Sequence, residues 1–317
     1  MEHYMKLLVR ALNNDKLALG KILTILETPS IESSRILKEL ISRSGKAHVI
    51  GVTGIPGSGK STLISKIITA YRRRGLKVAV LAIDPTSPLS RGALMADRLR
   101  MQEHTIDPNV FIRSVASKGL KGGLSLAALG MIEAFDAAGY DKVIVETVGV
   151  GQADVDIMNI AHTIVVVTMP GVGDEIQALK AGVMEIGDIY VLNKSDKPEA
   201  NQTLEHLSFA LETGELGRKR LWKPKIVKTS AILGQGIEEL VEVIEDHYEH
   251  ITNSDEFKRK IKSRRRELLK LYVKYVIDTR VEETIDRLSD VVDKLIVESE
   301  DPYREIENLI IQNLKSV

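Results

Sequence analysis

From Gly54 to Thr62 the chain reads Gly-Ile-Pro-Gly-Ser-Gly-Lys-Ser-Thr, and residue types in that spacing are suited to hold a string of phosphates. Gly54, Gly57 and Gly59 let the backbone fold tightly enough for its N–H groups to converge on phosphate oxygens. Ile55, Pro56 and Ser58 complete the cradle. Lys60 would reach the β- and γ-phosphates, and the Ser61 hydroxyl would ligate Mg²⁺. His48-Val49-Ile50-Gly51-Val52 ahead of the loop has strand character, and the run from Thr62 to Ile68 has helical periodicity. The helix start adds its partial positive charge to the same spot. A glycine-rich turn that merely joins a strand to a helix needs neither the lysine nor the serine. The expected ligand is a nucleoside triphosphate.

Other chemistry-bearing residues stand just after apolar runs. Asn193-Lys194-Ser195-Asp196 follows one of them. An Asp196 carboxylate can accept N1–H and the 2-amino group of guanine, a donor pair that adenine lacks. Asn193 can contact N7, and the stem of Lys194 can cover the base. Ser230-Ala231 fits a further guanine contact, a backbone N–H reaching O6. Taken singly, each is also an ordinary turn sequence; after a phosphate loop they point to GTP and GDP. Glu146, at the end of Val143-Ile144-Val145, can bind Mg²⁺ directly or through water, and Gly149 leaves a backbone N–H free for the γ-phosphate. The alternative for Glu146 is a helix cap. Asp84, after Leu81-Ala82-Ile83, can join the Mg²⁺ shell, because Mg²⁺ keeps waters and uses few carboxylates. The alternative is a turn-opening Asp-Pro.

These residues need a scaffold that brings strand ends together. Seven strand-like runs, starting near His48, Val78, Val110, Lys142, Thr163, Ile189 and Lys225, alternate with helical stretches such as 124–138 and 174–186. Near-continuous apolar strands separated by helices predict an α/β fold, a doubly wound, mostly parallel sheet covered on both faces. Ligands of such sheets sit at the carboxyl ends of the strands. The Asp84 strand is expected to neighbour the phosphate-loop strand. Residues 1–46 read as an N-terminal helical extension broken at Asn13-Asn14 and Thr28-Pro29-Ser30, residues 47–250 as the nucleotide domain, and 251–317 as a C-terminal helical region. The basic run from Lys258 to Arg266 reads as the solvated face of a helix whose other side packs or dimerises, with phosphate or nucleic-acid binding as the alternative.

Composition narrows the field. With 44 basic and 44 acidic residues the formal charge is zero, so no global field draws the chain to nucleic acid or a membrane. The lack of cysteine excludes disulfides and thiolate metal sites. No run is apolar for the roughly 18 residues of a membrane helix. Met1-Glu2-His3-Tyr4-Met5 is unlike a signal peptide, so a cytoplasmic protein is expected.

Taken together, these segments resemble the MeaB/ArgK/MMAA family of P-loop GTPases. The resemblance rests on residues 54–62, Asp84-Pro85-Thr86-Ser87, Asp97-Arg98-Leu99-Arg100-Met101, Phe111-Ile112-Arg113-Ser114, and Gly122-Gly123. It continues through Glu146-Thr147-Val148-Gly149-Val150-Gly151-Gln152, Gly173-Asp174-Glu175-Ile176-Gln177 and Asn193-Lys194-Ser195-Asp196, and the helical leader at 17–27 matches as well. Ala153 stands where the family usually has Ser, and Ala93 and Ala96 soften a glycine-rich stretch; neither bears on the nucleotide chemistry. The resemblance implies a GTPase chaperone that gates cofactor loading or protection of an adenosylcobalamin-dependent acyl-CoA mutase, of the methylmalonyl-CoA mutase type. It also implies a homodimer formed through the C-terminal helices. For positioning the attacking water the candidates are Asp97 and, second, Gln152; Lys180 would pair with Asp97 or bring positive charge to the phosphates. No built-in arginine finger is evident, so slow intrinsic turnover with partner stimulation is expected. The alternatives are a metal-delivery GTPase, which should carry Cys or His ligands, and a nucleotide-dependent kinase linked to amino-acid transport.

Overall fold

The computed structural model describes residues 2–85, 102–117, 126–147, 157–171, 185–213, 222–299 and 301–315. Three helices lead: α1 (Glu2–Leu12), α2 (Lys16–Leu26) and α3 (Ile31–Arg43). Both expected breaks are present, and their residues explain them. Asn14 adopts a left-handed φ of 68°, a conformation asparagine tolerates better than most residues. Asp15 then caps α2 by accepting from the Ala18 N–H, and Ser30 and Ser33 form a reciprocal cap at the start of α3.

Among the described residues, the seven expected runs form β1 (His48–Gly54), β2 (Val78–Pro85), β3 (Val110–Ser117), β4 (Lys142–Thr147), β5 (Thr163–Thr168), β6 (Ile189–Leu192) and β7 (Lys225–Lys228). They make one sheet in the order β3-β2-β4-β1-β5-β6-β7, every pair parallel. One expectation changes. β2 is not the neighbour of β1, because β4 lies between them, pairing Val52 with Glu146 on one side and Ala82 with Glu146 on the other. Apolar runs tell which segments enter a sheet but not which of them lie side by side. The order brings Glu146 next to the phosphate-loop strand and moves Asp84 one strand away.

One face of the sheet packs against α4 (Lys60–Arg73). Ile50, Val52, Ile144, Val165 and Val167 of the strands bury against Leu63, Ile64, Ile67 and Ile68. Leu240, Val241 and Ile244 of a later helix, Ile237–Thr252, join the same core. The other face is covered by Leu126–Ala137, a helix buried on every side from Ala127 to Asp136. A helix apolar all round needs cover all round, and here the sheet lies on one side with α2 and α3 on the other. The N-terminal helices thus form a further layer outside that helix.

The chain divides into two compact units, residues 1–265 and 266–317. The second holds the remainder of the long helix Glu256–Arg287 and two shorter helices, Ser289–Glu298 and Pro302–Lys315, which pack on each other. Along the long helix Leu269, Val273 and Ile277 recur every fourth residue, and all three are exposed. No helix of the described residues is long and apolar enough to cross a membrane.

Candidate functional site

The phosphate loop leaves β1 at Gly54 and enters α4 at Lys60, at the carboxyl end of a central strand. Two of its glycines are required by geometry. Gly54 has φ 141°, and a Cβ there would stand 2.0 Å from the Val167 carbonyl oxygen of the adjacent strand. Gly59 has φ 88°, and a Cβ would meet the Asn193 amide nitrogen at 2.6 Å. Ile55 and Ser58 are buried, while Pro56 and Gly57 form the exposed crest. Thr62 lies half-buried in the first turn of α4.

Lys60 is buried, and its ammonium donates to the Gly54 and Ile55 carbonyls at 2.9 and 3.1 Å. Those acceptors are neutral. A phosphate oxygen offers the same ammonium a charge-assisted and stronger bond. One residue on, the Ser61 hydroxyl donates to Glu146 Oε1 at 2.8 Å, with both side chains buried. The adjacency of β1 and β4 brings these two together. A hydroxyl that gives its proton to a carboxylate keeps its lone pairs for a cation. A hydroxyl and a carboxylate are hard oxygen donors of the kind Mg²⁺ prefers.

Asn193 sits just past β6 and is almost fully buried. Its amide nitrogen donates to the Ser58 carbonyl at 2.7 Å. Its oxygen accepts from the Thr229 hydroxyl and from the Ala231 N–H, each at 3.1 Å. Asn193 is therefore a strut that ties the phosphate loop to the turn after β7, a role beyond the base contact read from the sequence. Lys194, with φ 58°, turns its ammonium to the Gly57 carbonyl at 2.7 Å and lies near Met169 Sδ. Asp196 is exposed, and the Ser230 side chain beside it, followed by its own backbone N–H, holds its carboxyl below the usual range. The Ser230 and Ala231 N–H groups donate within the fold, to the Gln235 carbonyl and to Asn193. A guanine O6 would share the Ala231 hydrogen with Asn193.

Asp84 closes β2, and its backbone alone is described; Gly149, Gln152, Asp97 and Lys180 lie outside the described residues. Sequence reading did not single out Thr229 or the pair Ser65 and His104. The Ser65 hydroxyl, one turn beyond Ser61 on α4, lies 2.9 Å from His104 Nε2 and donates to Glu103. Thr229, directly before Ser230, was the detectable one. Nothing local marks the other pair.

A second set of buried polar groups gathers at the opposite, amino ends of the strands. His48 Nε2 is 2.6 Å from the Thr163 hydroxyl, which is 2.8 Å from His247 Nδ1. The Val49 N–H donates to His162 Nδ1, and Lys260 donates to the His162 carbonyl. Arg264 is fully buried and pairs with Glu133 at 3.1 Å; Arg265 reaches the same carboxylate, as does the Ser44 hydroxyl. The basic run expected on a solvated face thus has members turned inward. Arg264 can be buried because Glu133 supplies its countercharge, whereas Lys258, Arg259, Lys262 and Arg266 do stay exposed. Burial, and secondarily the Lys142 charge, pushes His48 well below the ordinary histidine value; burial and then Arg264 do the same to His162. Both rings therefore resist protonation. Among the described residues, no group of three or more His, Asp or Glu side chains is gathered as a metal would require.

Residues 19–286 match the family profile described as methylmalonyl-CoA mutase-associated GTPase MeaB. A putative GTPase of Pyrococcus horikoshii is 42% identical over 299 residues, covering 94% of each chain. The GTPase ArgK of Escherichia coli is 37% identical over 224 residues, 70% of this chain and 68% of that one. The crystal structure of an LAO/AO transport system kinase superposes with a TM-score of 0.70 at 26% identity, over 98% of both chains.

Proposed function

The chain belongs to the MeaB family of GTPases, and from that premise we propose that it gates cofactor loading and protection in an adenosylcobalamin-dependent acyl-CoA mutase. It is a P-loop enzyme that hydrolyses GTP. The observation that carries the reading is the Asn193 strut, which fixes the phosphate loop and the Thr229–Ala231 turn to one another. That bond set makes a triphosphate site and a guanine site into one rigid receptor, as a switch read by another protein requires.

In this reading Lys60 holds the β- and γ-phosphates and stabilises charge as the bond to the γ-phosphoryl breaks. Ser61 and Glu146 would hold Mg²⁺, with Asp84 as a further candidate ligand, and the ion would supply positive charge to the phosphates. The Gly149 N–H meets the γ-phosphate. Asp97 positions the attacking water, with Gln152 as second candidate, and Lys180 is brought to the phosphates or to Asp97 when the client docks. Asp196 and Lys194 read and cover the base. The exposed row Leu269, Val273 and Ile277 supports a homodimer formed through the C-terminal helices. The mutase client is supported by membership of a family of methylmalonyl-CoA mutase-associated GTPases.

The test is a titration of the full chain with GTP and ATP, followed by turnover with and without an adenosylcobalamin-dependent mutase. The expected result is a strong preference for GTP, slow turnover alone and faster turnover with the mutase. Preference for ATP would favour a kinase and overturn the guanine assignment. A rate indifferent to the mutase would overturn the client.

A further inference from the structure

Residues 102–109, which lead into β3, are tied to α4 near both of their ends. At the start, Glu103 and His104 of the short helix Gln102–Thr105 meet Ser65. Two turns further along α4, Arg72 pairs with Asp107 at 2.8 Å, and the Asp107 carbonyl accepts from Lys16 at 2.9 Å. Ser61, Ser65 and Arg72 are spaced so that they share one stripe of the helix.

The first tie has a fixed direction. His104 Nε2 lies 3.0 Å from the Ser65 carbonyl, which can only accept, so that nitrogen carries a hydrogen. The Ser65 hydroxyl gives its own hydrogen to Glu103 Oε1 at 2.8 Å and is left to accept from the ring at 2.9 Å. His104 is only 8% exposed. An aliphatic side chain would fill that space without the cost of desolvating an imidazole; the ring adds a directed bond to one turn of α4. That turn follows the one that holds Ser61, about 6 Å along the axis, and Ser61 donates to Glu146. In the other direction, Asp97 precedes Gln102 by a length of chain that spans at most about 18 Å. We propose that His104 is a positioning residue for GTP hydrolysis: through Ser65 it holds the chain that follows Asp97 to the helix that carries Lys60 and Ser61. The inference rests on the reading of Asp97 as the residue that positions water, and it adds an anchor outside the phosphate and guanine motifs.

An anchor of this kind bears on the rate of the chemical step more than on nucleotide binding. Single-turnover hydrolysis by the full chain, with GTP affinity and urea denaturation measured on the same preparations, separates the two. His104→Leu keeps most of the buried volume and removes the donor. Its rate should fall about 10–100-fold, as for a misplacement of about 1 Å, while GTP affinity stays within about twofold. His104→Gln, whose amide can donate in place of Nε2, should recover to within about threefold of the unmodified rate. Arg72→Gln cuts the far tie and should lower the denaturation midpoint while leaving the rate as it is. In an Asp97→Ala background, His104→Leu should slow hydrolysis no further, because the two act as a unit. The anchor would be overturned, with the GTPase reading left standing, by an unchanged rate in His104→Leu, an affinity loss as large as the rate loss, or no recovery in His104→Gln. A rate loss matched by Arg72→Gln, or losses additive with Asp97→Ala, would overturn it equally. A normal rate in Asp97→Ala would sink the Asp97 reading and the anchor together.

Discussion

At the carboxyl ends of the strands, the described bonds of Lys60, Ser61 and Asn193 run among the phosphate loop, the first turn of α4, the strand ends and the turn after β7: Lys60 to Gly54 and Ile55, Ser61 to Glu146, Asn193 to Ser58 and Ala231. At the amino ends, Glu133, Arg264, Arg265, His162 and His48 bond to secondary structure and to one another, with the Glu133 carboxylate shared by both guanidiniums. In the first arrangement Lys60 can exchange its carbonyl acceptors for phosphate oxygens, and the Ser61 and Glu146 oxygens can turn to a cation. The second has nothing comparable to exchange. On the proposed function, one sheet carries a ligand end and a structural end, and both are built from buried polar groups. Burial alone therefore does not identify a site; what matters is whether the bonds could be replaced by stronger ones to a ligand.

The contrast breaks first, if it is wrong, at Arg264. Arg264→Ala leaves Glu133 buried with Arg265 as its one remaining ion-pair partner beside the Ser44 hydroxyl, and losing half of a buried ion pair should cost about 3–5 kcal/mol. Urea denaturation should show that loss, while GDP affinity under native conditions stays as it was. A loss of GDP affinity with stability intact would join the two ends functionally and end the distinction. The mirror experiment is Lys60→Ala. Turnover should fall about 10²–10³-fold, as when one charge-stabilising donor is removed from a transition state, with stability changed by no more than about 1 kcal/mol. Denaturation as large as that of Arg264→Ala would make Lys60 a structural residue.

The ligand end was legible in the sequence because phosphate binding is local. Gly54 to Ser61 must lie in one loop, so their spacing survives as a motif, and Asn193 to Asp196 likewise. All seven strands were legible from their apolar runs. Their order was not, because an apolar run such as Val78–Ile83 carries no mark of its neighbour. The role of Asn193 as a strut was hidden for a related reason: its partners lie 36 to 135 positions away. Arg264 was misjudged most. In sequence it is one of a row of basic residues, and its countercharge on Glu133 is 131 positions distant. Sites made by one loop can be read along the chain, whereas ties between distant segments emerge only when the chain is folded.

Asn193 is where the two behaviours meet, and it sharpens the comparison. Asn193→Ala removes three bonds and leaves the Ser58 carbonyl and the Ala231 N–H buried without their partner. The expected cost is about 1–3 kcal/mol in stability, together with a fall in GDP affinity, since phosphate loop and base turn lose their common support. Stability and affinity measured on the same preparation should drop together. A fall in affinity alone would make Asn193 a base contact with little structural role.

The smallest effect separates the ends by pH. His48 and His162 are held neutral by burial, well below the value of 6.5 they would have in the unfolded chain. Below that pH the unfolded chain binds protons that the native protein refuses. Their contribution is therefore complete above pH 6.5 and is lost as pH falls through it, by about 1 kcal/mol per histidine per pH unit. Lys142, Lys260 and Arg264 face these rings with positive charge, Glu245 is paired to Lys142, and Asp188 lies by His247. The cations keep protonation unfavourable in the native state. Asp196 behaves oppositely. Its carboxyl titrates below 3.8, so it stays ionised across the same window and guanine recognition should persist. Trp222, the sole tryptophan, has its ring 4.9 Å from that of His247 and reports unfolding at the structural end. Between pH 7 and pH 5 its denaturation midpoint should fall while GDP affinity of the folded protein holds. Equal loss of both would show that the two ends titrate as one.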